Sequence, residues 1–237
     1  MYVTHQVPDG LRIVDILPAP APPEHALAEA RNLWEAELAT RPGLFNGRIF
    51  SLGSIEGQEA RGFMAEYMWY VAQLRAPHLY EHLRVRSLAV SGLVVAGGHV
   101  LFGLRKPGLA VEGGLWELAP SGTIHGDLRD KDGSLSWRDV FREELREELG
   151  IDAPASEARA FVLVEDTDTH IWELGVAVEL KLDHREVLAA WASLARSEHS
   201  EMAAVPLDDV PRFHTLRKAH MVGACGPLLR AYGLIPA

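Results

Sequence analysis

The sequence predicts a mixed α/β domain, with helices packed on a sheet. Three observations carry this. Short strand-like runs and helix-like runs alternate along the chain without the even period of a parallel barrel. Two apolar runs, Ser87–Ala96 and His99–Arg105, are split by Gly97-Gly98 and read as a β-hairpin. Ser136 opens a helix in which Phe141, Leu145 and Leu149 recur every fourth residue, a stripe suited to packing on a sheet.

Taken in order, residues 10–17 alternate and read as a strand. Pro18–Pro23 read as a stiff extended linker. Residues 24–40, rich in Ala, Glu and Leu, read as a helix that Arg41-Pro42-Gly43 stops. Residues 47–56 read as a strand, and the apolar, aromatic segment 63–74 fits either a helix or a buried strand. After the hairpin, Leu115–Ala119 reads as a short strand and Ser121–Leu135, full of Gly and Asp, as a loop. Ser136 and Asp139 form a Ser-x-x-Asp helix start, and Gly150 suits the left-handed cap at its end. Residues 160–165 and 171–182 read as strands joined by a turn at 166–170. Residues 185–195 read as a helix, 202–207 as a strand, and 215–232 as a helix interrupted at Gly226-Pro227.

With 237 residues, the chain suits one large domain or a core domain with an extension. Its 48% apolar and 24% charged composition is that of a folded globular protein. A net charge of −10 argues against nucleic acid as a partner, because phosphate backbones are held by basic surface. The single cysteine, Cys225, excludes an intramolecular disulfide and a Cys-based zinc site, fits a reducing cytoplasm, and reads as a small buried residue of the C-terminal helix. Residues 1–10 lack a signal-peptide pattern, and no apolar run approaches the roughly 20 residues of a membrane helix. The expected location is therefore the cytoplasm, with no membrane partner.

The run Glu143-Glu144-Leu145-Arg146-Glu147-Glu148-Leu149-Gly150-Ile151 carries the chemistry. Glu144, Glu147 and Glu148 share one helix face, about 110° from the Phe/Leu stripe. Like charges at four-residue spacing destabilise a bare helix, so the face suits a hard cation that takes carboxylate oxygens. A glycine-containing loop, Pro120-Ser121-Gly122, precedes it. Such a loop beside carboxylates with Mg²⁺ suits phosphoanhydride hydrolysis; structural Ca²⁺ is the alternative.

The acidic run resembles the C-terminal half of the Nudix hydrolase signature, in which Arg-Glu-hydrophobic-x-Glu-Glu-x-Gly-hydrophobic follows an earlier Gly and Glu. Trp116–Gly122 is similar to the strand and glycine lead-in, and Glu198–Val210 to an acidic loop, strand and turn near the domain's end. The likeness spans residues 86–237. It implies a Nudix-type α/β/α sandwich with a mixed sheet, residues 1–85 forming an N-terminal α+β extension packed on that core. Three positions depart from the pattern. Glu143 stands in place of the arginine, Leu135 in place of the first glutamate, and the loop over 125–135 is longer by about seven residues. A narrower likeness joins Pro42–Phe50, with its Leu44-Phe45-Asn46-Gly47, the aromatic segment 62–69 and the loose signature. It points to the Nudix branch that hydrolyses UDP-glucose and UDP-galactose.

The resemblance implies Mg²⁺, with Mn²⁺ as substitute, held by Glu144, Glu147 and Glu148 together with backbone carbonyls at Ser121 or Gly122. Glu201, placed before the 202–207 strand, is the candidate further ligand or general base, and Glu198 is its substitute. Glu143 is expected to pair with Arg146. Arg48, Arg86 and Arg105, with Arg84, are candidates for the diphosphate because guanidinium forks suit phosphate. Trp116 and the aromatics Tyr67, Trp69 and Tyr70 are candidates for base stacking. His125, His199 and His214 sit near polar loops with no pair spaced for zinc. The expected partner is a small nucleoside-diphosphate substrate, and a homodimer is left open. Two alternatives stand beside a nucleotide-sugar pyrophosphohydrolase. One is a catalytically inactive Nudix-like binding module, and the other an enzyme for ADP-ribose, dinucleotide or CoA-type diphosphates.

Overall fold

The computed structural model describes residues 1–153 and 157–236. Its elements in chain order are β1 (Tyr2–His5), β2 (Arg12–Val14), α1 (Glu24–Thr40), β3 (Arg48–Glu56), β4 (Glu59–Glu66), α2 (Tyr67–Arg75), α3 (Tyr80–Leu83), β5 (Leu88–Ala96), β6 (His99–Arg105), β7 (Trp116–Leu118), β8 (Ser121–Thr123), α4 (Trp137–Leu149), β9 (Arg159–Asp166), β10 (Trp172–Leu180), α5 (His184–Ala192), β11 (His199–Pro206), α6 (Val210–Arg217) and α7 (Cys225–Tyr232).

The α/β class read from the sequence holds. One mixed sheet runs β1-β9-β10-β5-β6-β11, with β7 on β6 and β8 on β5. β10 lies parallel to β5, and its other neighbour β9 is antiparallel. Buried residues of β5 divide by parity. Leu88, Val90 and Val94 join the cluster of Phe141, Leu145 and Leu149 from α4, whereas Leu93 and Val95 join that of Leu228 and Leu229 from α7. Alternate strand residues point to opposite faces, so the sheet is covered on both sides. That is why β5 is buried along its whole length and shows no polar alternation.

Gly97 and Gly98 adopt φ of 53° and 74°, as a two-residue hairpin turn requires. The hairpin is short: β5 and β6 pair only at Val95↔Val100 and Ala96↔His99. Beyond that point β5 pairs with β8 and β6 with β7. The sheet therefore splits into a wedge, open toward the start of β5 and the end of β6.

A second sheet, β2-β4-β3, belongs to the N-terminal third. Phe50 and Leu52 donate N–H bonds of 2.8 Å to the carbonyls of Ile124 and Arg86. The long loop after β8 is pinned to the same region. Arg129 pairs with Asp15 at 2.9 Å, Arg12 with Asp132 at 2.7 Å, and the Leu135 N–H meets the Ile13 carbonyl at 2.7 Å. Leu135, 1% exposed, is a core residue. The added loop length thus serves as a clasp between the two sheets.

Beside β1 and α3, which the sequence reading does not foresee, three elements differ from it. Segment 63–74 is half strand and half helix, changing at Glu66/Tyr67. Both halves are buried, so no change of apolar period marks the switch. The expected loop after Pro120 starts as β8, whose Ser-Gly-Thr sequence has no hydrophobic alternation and pairs through backbone. The single helix expected over 215–232 is instead α6 and α7, and the break lies before Gly226-Pro227. Those two residues occupy the first turn of α7, where proline's missing N–H costs nothing.

Helix α4 forms as its sequence signals. The Ser136 Oγ accepts from the Asp139 N–H at 3.4 Å, and Gly150 closes the helix at φ 72°. Phe141 is fully buried under this helix. Phe141→Ala is expected to destabilise the protein by about 3–5 kcal/mol, read from urea unfolding midpoints. A loss under about 1 kcal/mol would contradict the packing described.

Candidate active site

The wedge opens into a cavity of about 740 Å³. Glu117 of β7, Ser121 and Gly122 of β8, and Glu144 of α4 lie along one side of it. Helix α4 is brought here by its apolar stripe, and β8 by its pairing with β5. The Glu144 side chain lies so close over Gly122 that a Cβ at that position would fall inside its carboxylate. One turn on, Glu148 is 3% exposed and accepts the Ser121 N–H at 3.0 Å.

Among the described residues these two carboxylates have no ion-pair partner within 4 Å. Arg146, the nearest arginine on the helix, reaches Glu143 at 3.7 Å and Glu147 at 3.3 Å instead. Burial, followed by the charges of Glu198 and Glu147, pushes Glu144 up to about 8. Burial, followed by the charges of Glu117 and Glu144, pushes Glu148 well above the usual range, against the opposing Ser121 N–H.

Glu117 has the opposite environment. Arg105 Nη1 donates to both of its oxygens at 2.8 and 2.9 Å, Ser121 Oγ donates at 2.9 Å, and His199 Nε2 lies 2.8 Å away. Burial alone would raise this group, but the His199 hydrogen bond and the Arg105 charge hold it below the usual carboxylate value. An ionised Glu117 makes His199 Nε2 the donor, and Nδ1 is buried with no hydrogen-bond partner among the described residues. The His199 ring lies flat on Gly103, where a Cβ would collide with it.

Glu117, Glu148 and His199 each bring one ligating atom within 4.8 Å of the others. The donor set fits a hard divalent cation, because the half-buried Glu144 and the buried Glu148 are oxygen ligands with no ion pair among the described residues. Glu117 is the poorer ligand, its lone pairs already taken by three side chains.

The other expected residues divide. Arg48, Arg105, Tyr67, Tyr70 and Glu198 line the cavity. Glu147 is exposed at 60% of its side chain. Glu201 is exposed on β11 and does not line the cavity, because the strand has a register shift between His199 and Glu201. Arg86 is engaged elsewhere, with the Gly53 carbonyl at 3.0 Å and Glu165 at 3.3 Å. Trp116 is a core residue packed edge-on to Phe213. Arg84 and Trp69 also lie outside the cavity lining. Glu143 meets both Arg146 and His125, the latter at 3.1 Å. His199 is buried at the start of β11. Cys225 is a buried free thiol at the start of α7. Among the described residues no helix is long and apolar enough to cross a membrane.

The sequence reading missed Glu117, Glu112 and Glu173, which line the same cavity. A signal existed for two of them. Glu117 and Glu173 are lone acids inside apolar strand runs, and an acid buried in a strand needs a partner or a ligand.

No protein-family model and no curated protein matches the chain. Similar solved structures include the MutT protein from Methanosarcina mazei Go1, at 18% identity and TM-score 0.44, over 61% of this chain and 91% of that one. The MutT NUDIX hydrolase from Burkholderia pseudomallei matches at 19% identity and TM-score 0.41, over 61% and 96%. The NUDIX domain of Shewanella oneidensis NrtR, complexed with ADP ribose, matches at 16% identity and TM-score 0.40, over 62% and 86%. The chemistry assigned to this chain rests on the residues of its own cleft.

Arg105 and Glu117 form a buried pair, with side chains 13% and 5% exposed. Arg105→Met strands the Glu117 charge and is expected to cost about 3–5 kcal/mol in denaturant unfolding. The double variant Arg105→Met/Glu117→Leu should recover most of that loss. A wild-type midpoint for Arg105→Met alone would contradict the pairing.

Proposed function

We propose that this chain is a Nudix-type, divalent-metal-dependent pyrophosphohydrolase that cleaves the diphosphate of a nucleoside-diphosphate derivative. The substrate favoured by the sequence likeness is a nucleotide sugar such as UDP-glucose, cleaved to UMP and glucose 1-phosphate. The observation that carries this reading is the pair Glu144 and Glu148, packed against Ser121–Gly122 without an ion-pair partner among the described residues. Its second support is the resemblance of the run Glu143–Ile151 to the Nudix signature.

In this reading Glu144 and Glu148 hold Mg²⁺ or Mn²⁺, with backbone carbonyls of Ser121 or Gly122 beside them and Glu147 at the exposed rim. The bound cation supplies Lewis-acid neutralisation of diphosphate charge. The chain's own residues do the rest. Arg48, exposed at the cavity wall, meets the outer phosphate. Glu198, which lines the cavity where Glu201 does not, takes the proton from the attacking water. Water adds to one phosphorus and the bridging P–O bond breaks, releasing the two monophosphates. Arg105 does not reach for substrate; it keeps Glu117 ionised, and Glu117 in turn holds the Ser121 hydroxyl beside the metal position.

A second reading has a specific observation in its favour. Leu135, where the family carries a glutamate, is core, and Glu143 replaces the family's arginine. A binding module without turnover would retain the cleft and lose the reaction.

A product-resolved screen of nucleoside-diphosphate derivatives with Mg²⁺ and with Mn²⁺ separates these readings. Glu144→Gln and Glu148→Gln should each lower kcat by about 10²-fold or more, with the circular dichroism spectrum retained. Gly122→Ala is expected to push the Glu144 carboxylate aside and to lower kcat by about tenfold or more, with little change in Tm. Turnover at the wild-type rate in both glutamine variants would sink the ligand assignment. A wild type that binds diphosphates without forming product would establish the binding module.

A further inference from the structure

The cavity has a second acidic end, which the hydrolytic reading leaves without a role. Glu173 of β10 is 6% exposed and lines the cavity. Its Oε2 accepts from Ser91 Oγ at 2.6 Å, and its Oε1 has no hydrogen-bond partner among the described residues. Glu112 lines the same cavity from the loop between β6 and β7, and among the described residues its side-chain carboxyl has neither a hydrogen bond nor an ion pair. Ala89, Ile171, Leu228 and Tyr70 supply apolar wall. Burial pushes Glu173 up to about 8, the Ser91 bond opposing and the Glu112 charge adding. Burial pushes Glu112 up to about 7, with Arg105 opposing. Arg105 is already bound to both oxygens of Glu117, so it does not satisfy either acid.

Buried carboxyl groups with free oxygens cost stability unless something hydrogen-bonds them. Among the described residues nothing does so for Glu173 Oε1 or for the half-buried Glu112 carboxyl, and both residues line a cavity sized for a small molecule. We infer that Glu112 and Glu173 form a recognition subsite for a ligand group that presents two adjacent hydrogen-bond donors. Such a group is either the vicinal hydroxyls of a sugar or the N–H and amino edge of a base such as guanine. Two acidic groups give a phosphate no positive partner, and an anion buried without one is costly, so the neutral part of the ligand takes this subsite while the diphosphate stays toward Glu144. Uracil offers a single N–H between two carbonyls, so a UDP-sugar would place its sugar here. This inference deepens the pyrophosphohydrolase reading and takes the ligand's orientation from it.

The test uses ligands without phosphate, and no metal. Saturation-transfer NMR on the full chain is run with methyl glucoside and with two ribose-free bases, 9-methylguanine and 1-methyluracil, on wild type and on Glu173→Gln and Glu112→Gln. Glutamine mimics the neutral acid, so both variants are expected to fold. Should Glu173→Gln unfold, Glu112→Gln on its loop carries the same test. Saturation is expected to reach methyl glucoside if the subsite takes sugar, or 9-methylguanine if it takes a base. It should fall by about fivefold in the variants, the loss of roughly one hydrogen bond. The inference is overturned if neither ligand receives saturation, if the variants leave it unchanged, or if 1-methyluracil receives as much as both. Because no turnover is measured, failure here leaves hydrolysis standing. An absence of hydrolysis would equally leave a positive result here intact.

Discussion

The contact between the acidic face of α4 and the backbone at Ser121–Gly122 is the constraint on which the rest of the structure depends. It needs a glycine, because any Cβ would occupy the space of the Glu144 carboxylate. It needs an ordered N–H at Ser121, which Glu148 takes at 3.0 Å. Both are supplied because β8 is stitched to β5, and because Phe141, Leu145 and Leu149 press α4 onto the same sheet. The apolar stripe thus holds in place a set of like charges that would weaken the helix in isolation.

Electrostatics divide the cleft into carboxylates that are satisfied and carboxylates that are not. Glu117 has an arginine, a serine and a histidine, and stays ionised. Glu144 and Glu148, one turn apart on α4, have no ion-pair partner among the described residues and are pushed toward the neutral form. A buried pair such as Arg105–Glu117 is weak support for stability as a whole. Its effect here is positional: it fixes Ser121, and through Ser121 the floor of the site. The short β5–β6 pairing sets the width, since a hairpin zipped to its end would close the wedge in which all these groups meet.

Much of this was legible in the sequence. The Gly97-Gly98 turn, the helix from Ser136 to Gly150 and the helix over 24–40 announce themselves by turn chemistry, capping and composition, all local signals. The acidic face of α4 was equally plain. The strand at Ser121–Thr123 was not, because its pairing uses backbone and its side chains are half-exposed. Glu201 and Glu198 could not be ranked without the bulge in β11, which turns Glu198 toward the cavity and leaves Glu201 outside it. Arg86 and Trp116 looked suited to a ligand by residue type alone, yet long-range packing assigns one to Glu165 and the other to the core. Leu135 explains itself only in three dimensions, as a contact to β2 more than a hundred positions earlier in the chain.

The central claim is that Glu144 and Glu148 together bind a divalent cation. Titration of the metal-free protein with Mn²⁺, followed by the loss of the free-ion EPR signal, measures this without any substrate. Saturable binding in the wild type, abolished in Glu144→Gln/Glu148→Gln with the fold retained, is the predicted result. Equal Mn²⁺ uptake by the wild type and the double variant would contradict it.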